Sequence, residues 1–212
     1  MDRRELLKMI AALTGGAVIG GEAFLSGCTN KDQKAASILL TEKDVPFLNE
    51  VAETILPATK TPGAKAANVG QFMTVVINDC YEEEDQKIFR EGMDKINDAC
   101  KKMHGHSFME AKPEERHQLL LSIDKETKDF MDKFNKEQEI KEKAARDRGD
   151  KSYKREQMPK QYYSMVKQLT LWGYFTSKEG ITQALRFTPV PGKYVGCIDY
   201  KKGEAAFAGL DG

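Results

Sequence analysis

The chain has 212 residues, 33 Lys and Arg balanced by 33 Asp and Glu, with 31% charged and 40% apolar residues. That length suits one domain with a tail and can bury a core without disulfide staples. Zero net charge gives no global field for gathering nucleic acid, and the lack of long apolar segments excludes a multi-span membrane protein.

The first 27 residues read as an export address. Arg3 and Arg4 precede Leu6, Leu7 and Lys8, followed by an apolar stretch from Met9 to Leu25. Gly15, Gly16, Gly20, Gly21 and Glu22 make that stretch a poor permanent transmembrane helix. It resembles a cleavable twin-arginine signal, whose cargo generally crosses the membrane folded. The segment closes on Leu25-Ser26-Gly27-Cys28, similar to a bacterial lipoprotein box. Small residues expose the backbone to the signal peptidase, and the Cys28 thiol carries the lipid. The expected location is therefore periplasmic, held to a bacterial membrane by acyl chains on Cys28. Arg3, Arg4 and Lys8 match Asp2, Glu5 and Glu22 in number, so the mature chain is also neutral. Membrane affinity is thus expected from the lipid, with no help from bulk charge.

Residues 28–40 read as a flexible tether, and residues 41–212 as a single helical domain. Thr41 and Asp44 offer N-cap groups to a first helix carrying Phe47, Leu48, Val51, Ala52, Ile55 and Leu56. Pro57 stops it, and Thr61-Pro62-Gly63-Ala64 is a turn. Val69, Phe72, Met73, Val76, Ile77 and Cys80 give a second helix its apolar face. Glu82 to Asp85 place negative charge at the start of a third, which buries Ile88, Phe89, Met93, Ile96, Cys100 and Met103. His104-Gly105-His106 ends it. Pro113 opens a fourth helix with Leu119, Leu120, Ile123, Phe130 and Phe134 on its stripe. From about 135 to 155 the stripe gives way to charge, which predicts a solvated helical extension broken at Gly149. Acidic residues interleave with the basic ones there, against a nucleic-acid reading. A fifth helix carries Tyr162, Met165, Val166, Leu169 and Trp172, and a short one lies near Gly180 to Arg186. The class is all-α: a small bundle of about five main helices with an irregular, aromatic-rich C-terminal segment.

Three cysteines remain after cleavage. Cys80 and Cys100, on an antiparallel hairpin, would lie about 24 Å apart along the axis, too far to bond. Buried free thiols are expected, with a Cys100–Cys197 bond as the alternative.

Two blocks carry a family resemblance. One runs from Phe47 to Pro57, through Thr61-Pro62-Gly63-Ala64, to Val69 and Phe72. The other runs from Leu169 through Trp172, Gly173, Tyr174, Phe175, Thr176 and Ser177 to Pro189-Val190-Pro191-Gly192 and Cys197. Together with the leader they resemble the gluconate 2-dehydrogenase subunit 3 family. The resemblance implies a non-catalytic accessory subunit. Its partner would be a large flavoprotein of the glucose-methanol-choline type that holds FAD and oxidises a sugar or sugar acid. A cytochrome c subunit would take the electrons. The small subunit would supply the export signal, docking and, here, the membrane anchor. Pro57, Pro62, Gly63, Trp172, Tyr174, Phe175, Thr176 and Ser177 are the matching positions for partner contact. The alternative is a stand-alone periplasmic lipoprotein that binds a ligand or an envelope component.

Chemistry-bearing patterns are sparse. No G-x-G-x-x-G follows a strand and no C-x-x-C-H occurs, so this chain is expected to hold no dinucleotide or covalent haem. Cys100, His104, His106 and His117 are the best metal candidates, but H-x-H in a Gly-containing loop is commonly solvated, and Lys101 and Lys102 oppose a cation. No metal, cofactor or catalytic residue is therefore assigned. Ser107 beside His106 lacks a nucleophile elbow. Thr176 and Ser177 fit helix termination as well as family-specific hydrogen bonding. Tyr162, Tyr163, Trp172, Tyr174, Phe175, Phe187, Tyr194 and Tyr200 crowd the last fifty or so residues and fit either a docking surface or internal anchors for the tail.

Overall fold

The computed structural model describes residues 38–188, 192 and 196–208. The leader, Cys28 and Tyr194 lie outside them. The chain divides between Leu39 and Leu40, and the second unit, from Leu40 onward, is described below.

Among the described residues, five α-helices build it: α1 (Val45–Ile55), α2 (Val69–Cys80), α3 (Glu83–His104), α4 (Pro113–Asp147) and α5 (Tyr162–Phe175). A π-helical turn follows over Gly180–Ala184. The only strand-like pairing among the described residues is one isolated bridge, Arg186 to Phe207. The class is all-α.

Local chemistry sets the helix ends. Pro46 lies in the first turn of α1, where its missing N–H costs nothing. The expected Asp44 side-chain cap is not made. Its carboxylate instead accepts the Thr41 N–H at 2.7 Å and Arg90 at 2.5 Å, which ties the start of α1 to α3. Asn68, before α2, is left-handed (φ 52°), and the Gly70 N–H donates to Asn49 Oδ1 of α1 at 2.8 Å. A neighbouring helix thus caps α2. A Cβ on Gly70 would come within 2.6 Å of the Val45 carbonyl, so glycine sets this close approach. Along α3, acids fill the first turn and Lys101, Lys102 and His104 the last, matching the macrodipole, and Gly105 (φ 85°) ends the helix.

α5 packs against all four other helices. Leu48, Val51, Val69, Met73, Ile77, Phe89, Ile96, Leu119, Val166 and Leu169 close the core. Each such side chain withdrawn from water contributes about 1.5–3 kcal/mol.

Several expectations need correction. Met103 and Phe130 are exposed, because α3 and α4 run on past the end of the core. Cys80 and Cys197 are exposed and only Cys100 is buried; all three are free. Trp172 is half-exposed rather than in the core. Leu40, the expected end of the tether, is buried and exchanges two 2.9 Å hydrogen bonds with Asn78.

The charged extension is helical to Asp147, but it is not merely solvated. Gln138 is 1% exposed and Ala145 2%, because residues 149–160 double back along the helix. Gln138 Oε1 accepts the Tyr153 hydroxyl at 3.2 Å and the Glu156 N–H at 3.1 Å, and its amide donates to Glu156 at 3.1 Å. Lys141 pairs with Glu156 at 2.8 Å, and Arg155 donates to Asn135 at 2.8 Å. Buried amide bonds and long-range pairs thus hold the extension as a two-ply arm.

Candidate docking face

Two turns separated in sequence meet at one place. The first is the loop from Pro57 to Ala64. Exposed Pro57 follows Leu56, which has left the helical region (φ −126°, ψ 80°). Glu53, in the last turns of α1, then staples the loop down. Its carboxylate accepts the Ala58 N–H and the Lys65 N–H, both at 2.8 Å. Gly63 lies flat against that carboxylate, where a Cβ would sit 2.3 Å from its oxygens.

The second is the end of α5. Tyr174 is 4% exposed, and its hydroxyl donates to the Pro62 carbonyl at 2.6 Å across 112 residues of sequence. This bond ties the Pro62 turn of the first block to the second. Thr176 Oγ1 donates to the Trp172 carbonyl and Ser177 Oγ to the Tyr174 carbonyl, both at 2.7 Å. Ser177 Oγ also accepts the Gly180 N–H at 3.0 Å. Both hydroxyls therefore terminate α5. Gly180 is packed so tightly that a Cβ would meet the Tyr174 carbonyl at 1.9 Å.

Outside this lock, α5 turns an apolar face to solvent. Leu171, Trp172 and Phe175 are all exposed and share one side of the helix. The Trp172 ring stands edge-on to Phe72 of α2, with centroids 5.2 Å apart. Gly173 makes room for that contact, since a Cβ there would approach the Phe72 ring at 2.6 Å. Val75, three residues beyond Phe72, is 48% exposed on the same side of α2. Phe175 stacks edge-on to Tyr174, with centroids 5.1 Å apart. A cleft of about 430 Å³ between α4 and α5, lined by Asp124, Met131, Ser164, Lys167 and Leu171, opens beside this face. The aromatics thus divide. Tyr163 and Tyr174 are internal anchors, whereas Trp172, Phe175, Phe187 and Tyr200 are exposed.

Charged groups brace the scaffold. Glu50 of α1 pairs with Lys65 and with Arg116 of α4, and Arg116 also donates to the Phe108 and Met109 carbonyls. Burial pushes the Glu50 carboxyl up, but Lys65 and Arg116 outweigh it and hold the group below the ordinary carboxylate range. Asp44 behaves alike: burial raises it, and the Thr41 N–H and Arg90 more than compensate. Burial pushes the Tyr163 phenol well up, with Asp124 adding to the shift.

The metal candidates do not converge. The His104 and His106 rings stack 6.2 Å apart, while His106 Nε2 lies 3.1 Å from Glu115. Cys100 is buried, its thiol pushed up by burial and then by Glu115. His117 lines a separate small cavity with Thr54, Leu121 and Tyr163. Among the described residues, no three His, Cys, Asp or Glu side chains come together as a metal site. Ser107 Oγ donates to Glu110 at 2.6 Å, a turn-forming bond.

The profile of the gluconate 2-dehydrogenase subunit 3 family matches residues 42–192. The chain belongs to that family. The subunit 3 match spans all five helices, the Glu53-stapled loop and the Trp172–Ser177 turn. Arg3, Arg4, Cys28 and Cys197 lie beyond it. Comparison with curated proteins and with solved structures gives no match. Sequence reasoning missed Glu53 and Phe72 as partners of the motif residues. Glu53 reads as one more charged helix residue, and Phe72 as core.

Proposed function

We propose that this subunit 3 protein is a non-catalytic accessory chain of a flavin-dependent sugar or sugar-acid dehydrogenase. It docks a large glucose-methanol-choline-type flavoprotein that holds FAD, with a cytochrome c subunit as electron acceptor. Arg3, Arg4, Leu6, Leu7 and Lys8 direct export of the folded pair, and lipid on Cys28 keeps it at the membrane in the periplasm. The observation that carries the docking role is the solvent-facing set Val75, Leu171, Trp172 and Phe175 on a braced helix end, with half-buried Phe72 against the Trp172 ring. A contiguous apolar patch rich in aromatics is what a partner interface offers before it is covered. Pro57, Pro62, Gly63, Tyr174, Thr176 and Ser177 shape its floor and border.

The test is fractionation of a strain lacking this protein. The flavoprotein is expected to stay in the cytoplasm, folded and holding FAD. Its arrival in the periplasm in normal amount would overturn the escort role. A stand-alone ligand-binding lipoprotein predicts instead that the purified protein is a monomer without a stoichiometric flavoprotein.

A further inference from the structure

The arm formed by the end of α4 and its return loop carries an unbalanced charge. Between Lys141 and Arg155, seven basic residues stand against three acidic ones, in a chain whose total is zero. Among the described residues, Lys143, Arg148, Lys151 and Lys154 form no ion pair, and all four are exposed. Arg146, Lys151 and Arg155, with Glu142 and Asp150, also line an open cleft of about 640 Å³ at the tip. Ile140, three residues before Lys143 on the helix, is 69% exposed. The Gln138 bonds fix the two plies, so these cations stand on an ordered support. From Asn135 to Asp147 the helix advances about 18 Å.

The end of the unit that bears the arm is also where the N-terminal segment enters. Leu40 is bonded to Asn78 in the last turn of α2. Tyr81, just past that turn, shares a small cavity with Met158 and Lys160 of the return loop and Met131 of α4. Lys160 in turn pairs with Asp85 at the start of α3. The twelve residues from Cys28 to Leu40 span at most about 40 Å. A lipid on Cys28 would therefore hold Leu40, where the described unit begins, within about that distance of the bilayer.

We propose that the basic tip of the α4 arm is a contact surface for anionic phospholipid headgroups, a second membrane signal beside the acyl chains. This rests on the lipid-anchor reading for its biological setting, while the arm's charge can be measured without it. Phosphate headgroups suit the unpaired Lys and Arg, and Ile140 suits the acyl boundary. A basic cluster adds electrostatic attraction to anionic leaflets on top of the acyl chains.

The test is co-sedimentation of the full chain with neutral phosphatidylcholine vesicles and with vesicles about one-third phosphatidylglycerol. Wild type, a Lys143→Gln/Arg148→Gln/Lys151→Gln/Lys154→Gln variant and Cys28→Ser are compared. Wild type is expected to partition about tenfold more strongly onto the anionic vesicles at low salt, and to lose that preference near roughly 0.5 M salt. The four-fold variant should bind both vesicles alike, with an unchanged helical spectrum. Cys28→Ser should lose binding to neutral vesicles yet keep the anionic preference. Equal wild-type partition onto both vesicles overturns the arm proposal, as does an anionic preference retained by the four-fold variant. Undiminished neutral-vesicle binding by Cys28→Ser overturns only the lipid anchor.

Discussion

Along α5, Val166, Leu169 and Tyr174 are sealed among the other helices, whereas Leu171, Trp172 and Phe175 on the same helix stand in solvent. The end of the outer face is as apolar and aromatic as the inner one, although Ser164 and Gln168 lie further back along it. A helix apolar all round is ordinarily buried all round. The inner face is accounted for by the core and the outer face is not, which is why a partner is proposed to cover it. Stability resides in the first, and the proposed docking role in the second.

Substitutions can break or sharpen that contrast. The largest effect belongs to the inner face. Leu169→Ala, at a fully buried position, should cost about 2–5 kcal/mol, read from the midpoint of denaturant unfolding. A loss under about 1 kcal/mol would mean that the inner face is not core. Tyr174→Phe removes the bond to the Pro62 carbonyl and should cost about 1–2 kcal/mol. It should also raise amide exchange across residues 58–65, the local sign that the two blocks have parted.

Acid should act through Glu50 and Asp44. Both pKa values are depressed in the folded chain, so the folded state binds fewer protons than the unfolded one. Their stabilisation is present above the unfolded carboxylate values and is lost as pH falls through the folded ones. Glu50→Gln should therefore flatten the acid side of the stability profile, by at most about 1 kcal/mol for this part-exposed cluster. An unchanged acid limb would remove Glu50 from the bracing. The smallest effect on the isolated chain belongs to the outer face. Phe175→Ser should alter unfolding by less than about 1 kcal/mol. A loss as large as that of Leu169→Ala would erase the distinction between the faces.

Much of the fold is legible in the sequence because its punctuation is strong. Pro57, the acidic run before α3, Gly105 and Pro113 mark helix ends, and the structure follows them. The α5 stripe was harder. With apolar residues on most sides of its last two turns, periodicity has little contrast, so Trp172 joins the stripe of Leu169 although its side chain faces out. Gln138 is invisible for the opposite reason. A polar residue in a charged run reads as solvated until the Tyr153–Glu156 strand of loop covers it. At the candidate site, the motif residues could be named from the resemblance. Their joining through Tyr174 and Pro62, and the Glu53 staple beneath Gly63, depend on contacts across long stretches of chain that no local pattern encodes.

The central claim is that the outer face of α5 is covered by the flavoprotein subunit. The most direct measurement is the affinity of the purified flavoprotein for wild-type chain and for Trp172→Ala, with folding of both checked by thermal melting. The account predicts a loss of about 2 kcal/mol or more, roughly thirtyfold, for a Trp at the centre of the interface, with little change in melting. Equal affinity of the two forms would contradict it.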